Sequence, residues 1–158
     1  MTATYENIAT TTLGSNQSSV TFSSISASFT DLVIVYNGTA TGSMIKRIKF
    51  NGDTGANYSA TVIYGTGSAA GSARYTESWL DVVNAGTNNA MTIVQIMNYS
   101  NTTTNKTYLS RQSSAAISTE AVVGLWRSTA AINTILIEGS ANQFTTGSTF
   151  TLYGIKAE

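Results

Sequence analysis

The chain is divided into short segments rich in β-branched and aromatic residues, and this division constrains its fold more than any other feature. Runs of Gly, Ser, Thr and Asn with turn-forming character separate the segments. Strands of globular proteins have this length and composition, and turn signals at such regular intervals are typical of an all-β sandwich. We predict strands at residues 20–25, 32–36, 45–50, 58–64, 75–83, 91–97, 106–111, 121–126, 133–138 and 149–155.

Two side-chain patterns within these segments indicate two packed sheets. Residues 32–36 are apolar at every position, which predicts a central strand covered on both faces. Ile48 and Phe50 instead alternate with Arg47 and Lys49, so this strand should have one buried and one wet face. Two sheets with polar outer faces follow from this combination.

No segment has a convincing helical period. The nearest candidate, residues 113–123, is diluted by Ser and Thr, and its apolar positions hold no period of 3.6. A length of 158 residues is within the usual size range of one domain. The sequence therefore predicts a single all-β domain over residues 1–158, a β-sandwich of jelly-roll type.

The end of the chain predicts a terminal strand. Gly147 and Ser148 supply turn chemistry, after which Phe150 and Leu152 alternate with threonines. We expect Phe150 and Leu152 to point into the core and the chain end to be tied into its sheet.

Several motifs give the chain a resemblance to a known family. The closing GSTFTLYGI resembles the C-terminus of small β-rich structural proteins and tail-appendage modules of tailed bacteriophages, particularly marine and cyanobacterial ones. The internal FNGDTGANY resembles the same proteins. Further similar stretches lie at residues 8–14, 19–22, 98–100 and 126–132, so the matches are spread over nearly the whole chain.

The resemblance implies a non-enzymatic structural component of the virion, made in the host cytoplasm. A tail-fibre or appendage module is the first role it implies. A capsid decoration protein on the head surface is the alternative, and a carbohydrate-binding module is a further one. The implied partners are other virion proteins and a host surface glycan. By analogy the protein forms homo-oligomers, and trimers are common among phage β-modules.

Composition weighs against several classes of function. The sequence has no Cys and no His, so thiolate chemistry and the commonest general base and metal ligand are missing. Eight Lys and Arg balance eight Asp and Glu, which leaves no net field to attract nucleic acid. No apolar run approaches the roughly 20 residues that span a bilayer, and no secretory signal is visible. We expect no catalysis, cofactor, metal, nucleic acid or membrane insertion.

The segment from residue 50 to residue 58 contains the first candidate binding residues. Oxygens of Asn51, Asp53 and Asn57 offer a calcium or ligand loop. Calcium sites usually contain more than one carboxylate, whereas this segment has one, and the closing Glu of an EF-hand is missing. Asn and Asp bond local backbone amides readily, so we favour a structural turn.

Aromatic residues supply the second set of candidates. Tyr75, Trp79 and Trp126 have the chemistry of a sugar-stacking platform. Aromatic side chains of strands more often pack in a core or an interface, and we favour that interpretation.

Charged residues form the third set of candidate site residues. Glu77 and Asp81, four apart on one predicted strand, would share a face roughly 13 Å apart, too far for a glycosidase pair. We interpret them as solvated surface charges. The basic cluster of Lys46, Arg47 and Lys49 predicts a solvated strand face or a salt-bridged subunit contact rather than a nucleic-acid site.

Overall fold

The computed structural model describes residues 4–114 and 116–156, and within these ranges the chain forms strands and no helix. The strands are β1 (Tyr5–Thr12), β2 (Ser19–Phe22), β3 (Asp31–Gly38), β4 (Met44–Phe50), β5 (Tyr58–Gly65), β6 (Ala70–Glu77), β7 (Leu80–Ala85), β8 (Ala90–Met97), β9 (Lys106–Ser114), β10 (Ser118–Trp126), β11 (Ile135–Gly139) and β12 (Thr149–Ile155).

The strands form two antiparallel sheets of unequal size. The larger has eight strands in the order β1-β12-β3-β8-β9-β10-β5-β6, and the smaller has four in the order β2-β11-β4-β7. The chain passes back and forth between the sheets, as expected of a jelly roll, although the division is eight and four. The predicted all-β sandwich is confirmed.

The two predicted face patterns are also confirmed. β3 lies between β12 and β8 within the large sheet, and Leu32, Val33 and Ile34 are all buried. Along β4, Ile48 and Phe50 are buried while the residues between them are partly exposed. Alternation along a strand therefore separates the core side from the solvent side as the sequence indicates.

The last strand is anchored in an aromatic cluster. Phe150 and Leu152 have no exposed surface, as predicted. The ring of Phe150 lies 4.9 Å from the rings of both Tyr36 and Phe144. Burial of one such side chain contributes about 1.5–3 kcal/mol, so this cluster holds the end of the chain in the large sheet.

One strand of the structure was not predicted. β1 was not predicted, because its Thr-rich sequence lacks an apolar period and it is a half-buried edge strand beside β12. Residues 113–114 and 118–123 of the nearest helical candidate belong to β9 and β10, in agreement with the expectation that this segment is not helical.

The prediction of one strand over residues 75–83 is wrong. β6 ends at Glu77 in the large sheet and β7 begins at Leu80 in the small one, with a bend at Ser78 and Trp79. Neither Gly nor Pro marks this bend, so the sequence gives no local turn signal there. The crossing places β7 over β9, β10 and β5.

Candidate functional site

A groove of about 330 Å³ opens where the large sheet extends past β7. Its volume is at the lower end of the range for small-molecule sites, about 300–1,000 Å³. Strands β5, β6 and β10 supply one wall, and β7 with Ile45 supplies the other. The groove is lined by apolar, aromatic and acidic side chains: Ile45, Ala60, Val62, Tyr64, Thr66, Tyr75, Asp81, Asn84, Ile117, Ser118, Glu120 and Val122.

Glu120 is the buried carboxylate of the groove. It is 7% exposed, and its Oε1 accepts hydrogen bonds from Ser118 Oγ at 2.8 Å and Asn84 Nδ2 at 2.7 Å. The Asn84 bond joins β10 of the large sheet to β7 of the small one. Because both donors fix the carboxylate, it is an oriented acceptor in the groove wall.

Tyr64 and Tyr75 bring two phenol rings to the same groove. They lie on neighbouring strands, and they are 40% and 39% exposed. Gly71 pairs with Tyr64 across the strands, and a Cβ at Gly71 would lie only 2.6 Å from the Tyr64 hydroxyl oxygen. The glycine therefore leaves the space that Tyr64 occupies. Tyr75 is the sequence candidate that the structure places in this groove.

Asp81 is not a solvated surface charge, so that interpretation is wrong for this residue. Trp79 Nε1 donates a hydrogen bond to Asp81 Oδ1 at 2.9 Å, and the Arg47 guanidinium lies 3.9 Å from the Trp79 ring centroid. Burial raises the pKa of Asp81, with Trp79 and Arg47 opposing it and Glu77 adding to it. Glu77 and Asp81 lie on strands of different sheets, because the chain crosses between them.

The three predicted aromatic candidates occupy three different settings. Tyr75 lines the groove, Trp79 lies beneath Arg47, and Trp126 is only 2% exposed. The Trp126 ring stacks on Tyr58 at 6.2 Å, within the core. Trp126 is thus a core residue at the end of β10.

The segment after β4 folds as a hydrogen-bonded turn. Asn51 and Gly52 both have positive φ, at 53° and 70°, a conformation that suits Asn-Gly. Asn51 Oδ1 accepts from the Asn133 amide at 2.9 Å, and its Nδ2 donates to Ala131 O at 2.8 Å. These bonds fasten the turn to the segment that precedes β11.

The other two residues of this candidate loop bond to each other. Asn57 Nδ2 donates to both carboxylate oxygens of Asp53, at 3.2 and 3.0 Å, and the Gly55 amide donates to Oδ1 at 2.8 Å. Burial alone would raise the pKa of Asp53, but hydrogen bonds from Trp126, Asn57 and Gly55 outweigh it and lower the pKa. The carboxylate oxygens of Asp53 and the amide oxygen of Asn51 therefore accept hydrogen bonds from the protein itself.

A buried polar row crosses the inner face of the large sheet, and the sequence analysis missed it. Thr92, Gln112 and Glu120 are register neighbours on β8, β9 and β10, and all three are buried. Tyr64 continues the row on β5, at the groove. Both faces of β9 consist mainly of polar residues, so its sequence did not indicate which face is buried.

Lys46 reaches this row from the small sheet. It is 2% exposed, so the predicted solvated or subunit-contact role is wrong for it. Its Nζ donates to Gln112 Oε1 at 2.8 Å and to Asn84 O at 2.7 Å. Burial lowers its pKa to about 7, with Glu120 opposing the shift. Lys46 lies two residues before Ile48 and so shares the inward face of β4, and this spacing was the sequence signal for its burial.

The other two members of the basic cluster keep partial exposure. Lys49 Nζ pairs with Glu138 Oε1 at 2.7 Å across the neighbouring strand β11, and Arg47 Nε lies 3.9 Å from Asp81 Oδ1. The acidic partners come from this chain and neutralise the face locally.

The described residues form neither a cluster of metal ligands nor a membrane-spanning helix. In residues 4–114 and 116–156, no three or more acidic side chains gather closely enough to hold a metal ion. The same part of the chain holds no helix of sufficient length and apolarity to cross a membrane.

Comparison with known proteins gives no family assignment. No protein-family model matches the chain, and no curated protein matches it either. Among solved structures, an exo-inulinase from Aspergillus awamori is 9% identical with a TM-score of 0.42, over 96% of this chain and 30% of the inulinase. This chain thus spans less than a third of that enzyme.

Two further solved structures are similar over most of their own length. A galectin from Caenorhabditis elegans is 8% identical with a TM-score of 0.39, over 90% of this chain and 94% of the galectin. An alginate lyase, solved as a mutant with an alginate tetrasaccharide, is 11% identical with a TM-score of 0.34, over 94% of this chain and 80% of the lyase.

Proposed function

We propose that this protein is a non-enzymatic structural subunit of a tailed-bacteriophage particle, and within the particle a tail-fibre or appendage module. The phage setting rests on the sequence resemblance of the closing and internal motifs. The observation that carries the structural role is the outer face of the eight-stranded sheet.

This outer face exposes large apolar side chains on adjacent strands. Ile63 is 61% exposed, Met91 45%, Leu109 44% and Val123 59%, and they lie on β5, β8, β9 and β10. These four strands are neighbours in the large sheet. Monomeric soluble proteins rarely leave large contiguous apolar patches uncovered, and such patches mark interaction sites.

The occupant that we propose for this face is a second copy of the chain. The whole outer face, eight strands spaced about 4.8 Å apart and about 20 Å long, presents roughly 750 Å², and the four strands that carry the exposed apolar residues make up about half of it. A stable interface takes roughly 800 Å² per partner, so it would use the polar remainder of the face as well. The chain has zero formal net charge, so copies do not repel each other through a net field. The expected product is a homo-oligomer.

Two measurements test this proposal. Light scattering coupled to size exclusion gives the number of copies, and a monomer at micromolar concentration would contradict self-association. Antibody labelling of intact particles by electron microscopy tests the location. Label on the tail supports the appendage; label over the shell replaces it with the capsid decoration alternative; particles without label contradict both.

The groove favours a carbohydrate-binding module as a second candidate function. Sugars present apolar C–H faces and hydroxyl groups together, and the groove offers phenol rings at Tyr64 and Tyr75 beside hydrogen-bonding groups at Asn84 and Glu120. An appendage with this groove would bind a host surface glycan. The two functions are compatible, because the groove and the outer sheet face are on opposite sides of the large sheet.

An array of bacterial surface polysaccharides and oligosaccharides tests the second candidate. We expect retention of a polar, uncharged saccharide without release of cleaved product. Absence of binding across the array would contradict the glycan role. Hydrolysis of a bound polysaccharide would instead contradict the non-enzymatic assignment.

A further inference from the structure

The interior of the sandwich brings an amine, a carboxamide and a carboxyl group together from three strands. Lys46 on β4 contacts Gln112 on β9, and Glu120 on β10 is the register neighbour of Gln112. Their exposed fractions are 2%, 4% and 7%. Facing neighbours on adjacent antiparallel strands have Cβ atoms about 4.5–5.5 Å apart, so the side chains of Gln112 and Glu120 leave the sheet side by side, with Glu120 at the border of the groove.

The Lys46 amine is in hydrogen-bond contact with the side-chain carbonyl group of Gln112. Nζ lies 2.8 Å from Oε1, and a C=O bond is about 1.2 Å long, so Nζ is within about 4 Å of the carboxamide carbon. Reacting atoms in near-attack geometry are about 3–3.5 Å apart. A donor to Oε1 lies near the plane of the amide, so the Lys46 side chain must move from that plane to the face of the carbonyl group to attack its carbon.

The Gln112 carboxamide is oriented with its nitrogen free of partners. Oε1 receives hydrogen bonds from Lys46 Nζ and from Thr92 Oγ1, the latter at 3.4 Å. Lys46 Nζ is a hydrogen-bond donor, so the group that faces it must be the amide oxygen of Gln112 and not the amide nitrogen. This contact fixes the orientation of the carboxamide. Gln112 Nε2 is buried and makes no hydrogen bond. An unsatisfied buried amide nitrogen is costly, and its departure removes that cost.

The protonation state of the Lys46 amine also favours nucleophilic attack. Burial lowers the pKa of Lys46 to about 7, so much of the amine is unprotonated near neutral pH. Only the unprotonated amine is a nucleophile, and a desolvated lysine is the usual form of an activated one.

We propose that Lys46 and Gln112 form an intramolecular isopeptide bond, with Glu120 relaying the proton. Lys46 Nζ attacks the Gln112 side-chain carbonyl carbon, and the new C–N bond forms as the bond to Nε2 breaks. In the resting arrangement the Glu120 carboxylate is bonded to Asn84 and Ser118 and contacts neither nitrogen. Its side chain must therefore turn toward Gln112, its register neighbour, to accept the proton that Nζ loses and deliver a proton to Nε2. The amide nitrogen departs as ammonia, and Glu120 returns to its initial state. No oxidant, metal or other reactant is consumed.

The product is a covalent tie between the two sheets. Lys46 lies in the four-stranded sheet and Gln112 in the eight-stranded one. The chain has no Cys, so no disulfide can serve this purpose. Closing a long loop in this way constrains the unfolded chain, as a disulfide does. This inference is independent of the proposed function and concerns the fold itself.

Intact-mass spectrometry of the folded full-length chain tests the proposal. We expect the protein, after incubation at neutral to mildly alkaline pH, to be lighter than its sequence mass by one ammonia. Tandem spectra of a proteolytic digest should contain a branched peptide joining Lys46 to Gln112. A folded chain that keeps its full sequence mass would overturn the proposal.

Three variants separate this reaction from other losses of ammonia. Lys46→Met removes the nucleophile, Gln112→Met removes the carboxamide, and Glu120→Gln removes the relay while keeping its shape. Lys46→Met and Gln112→Met should keep their full mass, and Glu120→Gln should lose ammonia at least tenfold more slowly. A loss that persists in Lys46→Met, as succinimide formation at Asn51-Gly52 would, overturns the assignment. So does a branched peptide that joins Lys46 to Asn84.

Discussion

Trp126 donates its indole N–H to Asp53 Oδ2 at 2.6 Å, and this hydrogen bond joins the end of β10 to the turn that follows β4. The Trp126 ring contacts Phe50 and Tyr58 in the core, so the indole nitrogen is the polar tip of an otherwise apolar cluster. Tyr58 adds a second link, because its hydroxyl donates to Asp53 O at 3.1 Å. Asp53 therefore connects a surface turn to the aromatic core.

Asp53→Asn should destabilise the fold, because it removes a charged acceptor of several hydrogen bonds. We expect the free energy of unfolding to fall by about 1–3 kcal/mol, the range for losing hydrogen bonds to a charged group. Urea denaturation measures this. Glu6→Gln is the matched control, since it removes only the exposed ion pair to Lys156 at 2.8 Å, which should contribute less than about 1 kcal/mol. Equal losses in both variants would contradict the role of Asp53.

The same carboxylate should make stability depend on pH in the acid range. The folded-state pKa of Asp53 is lowered, so its contribution is fully present above the unfolded pKa of about 3.9 and is lost as pH falls through the folded pKa. We expect stability to fall from about pH 5 downwards, and Asp53→Asn should lose less over that interval. Parallel acid unfolding curves for the two proteins would contradict the assignment.

Gly124→Ala should disrupt the interior between β9 and β10. Gly124 is the register partner of Tyr108, and a Cβ there would overlap Tyr108 Cε1. Tyr108 is 1% exposed and donates its hydroxyl to Asp81 O at 2.6 Å, so its ring has little freedom to move. Forced overpacking costs about 1–3 kcal/mol or more.

Gly14→Ala is the control for this substitution. No atom lies within 4 Å of a Cβ at Gly14, and its backbone lies outside the left-handed region. We expect its thermal unfolding midpoint to stay within a few degrees of the parent protein, while Gly124→Ala falls clearly below it. A normal midpoint for Gly124→Ala would show that the Tyr108 ring is not confined.

Tyr75→Ala tests the groove by measuring saccharide affinity. If the array identifies a ligand, loss of the ring should weaken its binding about fivefold, in line with about 1 kcal/mol for an aromatic contact. Tyr5→Ala removes an exposed tyrosine from the opposite edge of the large sheet and should leave affinity unchanged. Equal affinities for both variants would place the ligand outside the groove.

Strand identity and inward faces were predictable because they depend on local periodicity. The apolar run at residues 32–36 and the alternation around Phe150 report burial directly, and both agree with the structure. The crossing at Ser78 and Trp79 was not predictable, because a bend between sheets can preserve β-like composition on both sides. The unpredicted β1 shows the same limit for a polar edge strand.

The candidate site was less predictable than the fold, because it depends on pairing between distant strands. Tyr75 was identified from its aromatic character, but its neighbours Tyr64 and Glu120 come from other strands. Lys46 lies two residues before Ile48 and therefore on the same face of β4, and this spacing indicated burial. The general expectation that lysines are solvated led to the wrong prediction. Nothing local in the sequence indicated that Gln112 would meet Lys46.

The exposed apolar face of the large sheet gives the last prediction, a change of oligomeric state. Leu109→Lys places an ammonium group on this face beside the exposed Arg111, which shares the outward side of β9, so a second copy would bury two like charges, and burying unpaired charge is costly. The outward position leaves the core intact, so the variant should fold and dissociate to monomers, with the dissociation constant raised at least a hundredfold. Light scattering over a concentration series measures this.

Thr21→Lys adds the same charge to an exposed position on β2, in the small sheet, and should keep the parent oligomer. If Leu109→Lys kept the parent mass while Thr21→Lys dissociated, copies would associate through the small sheet instead.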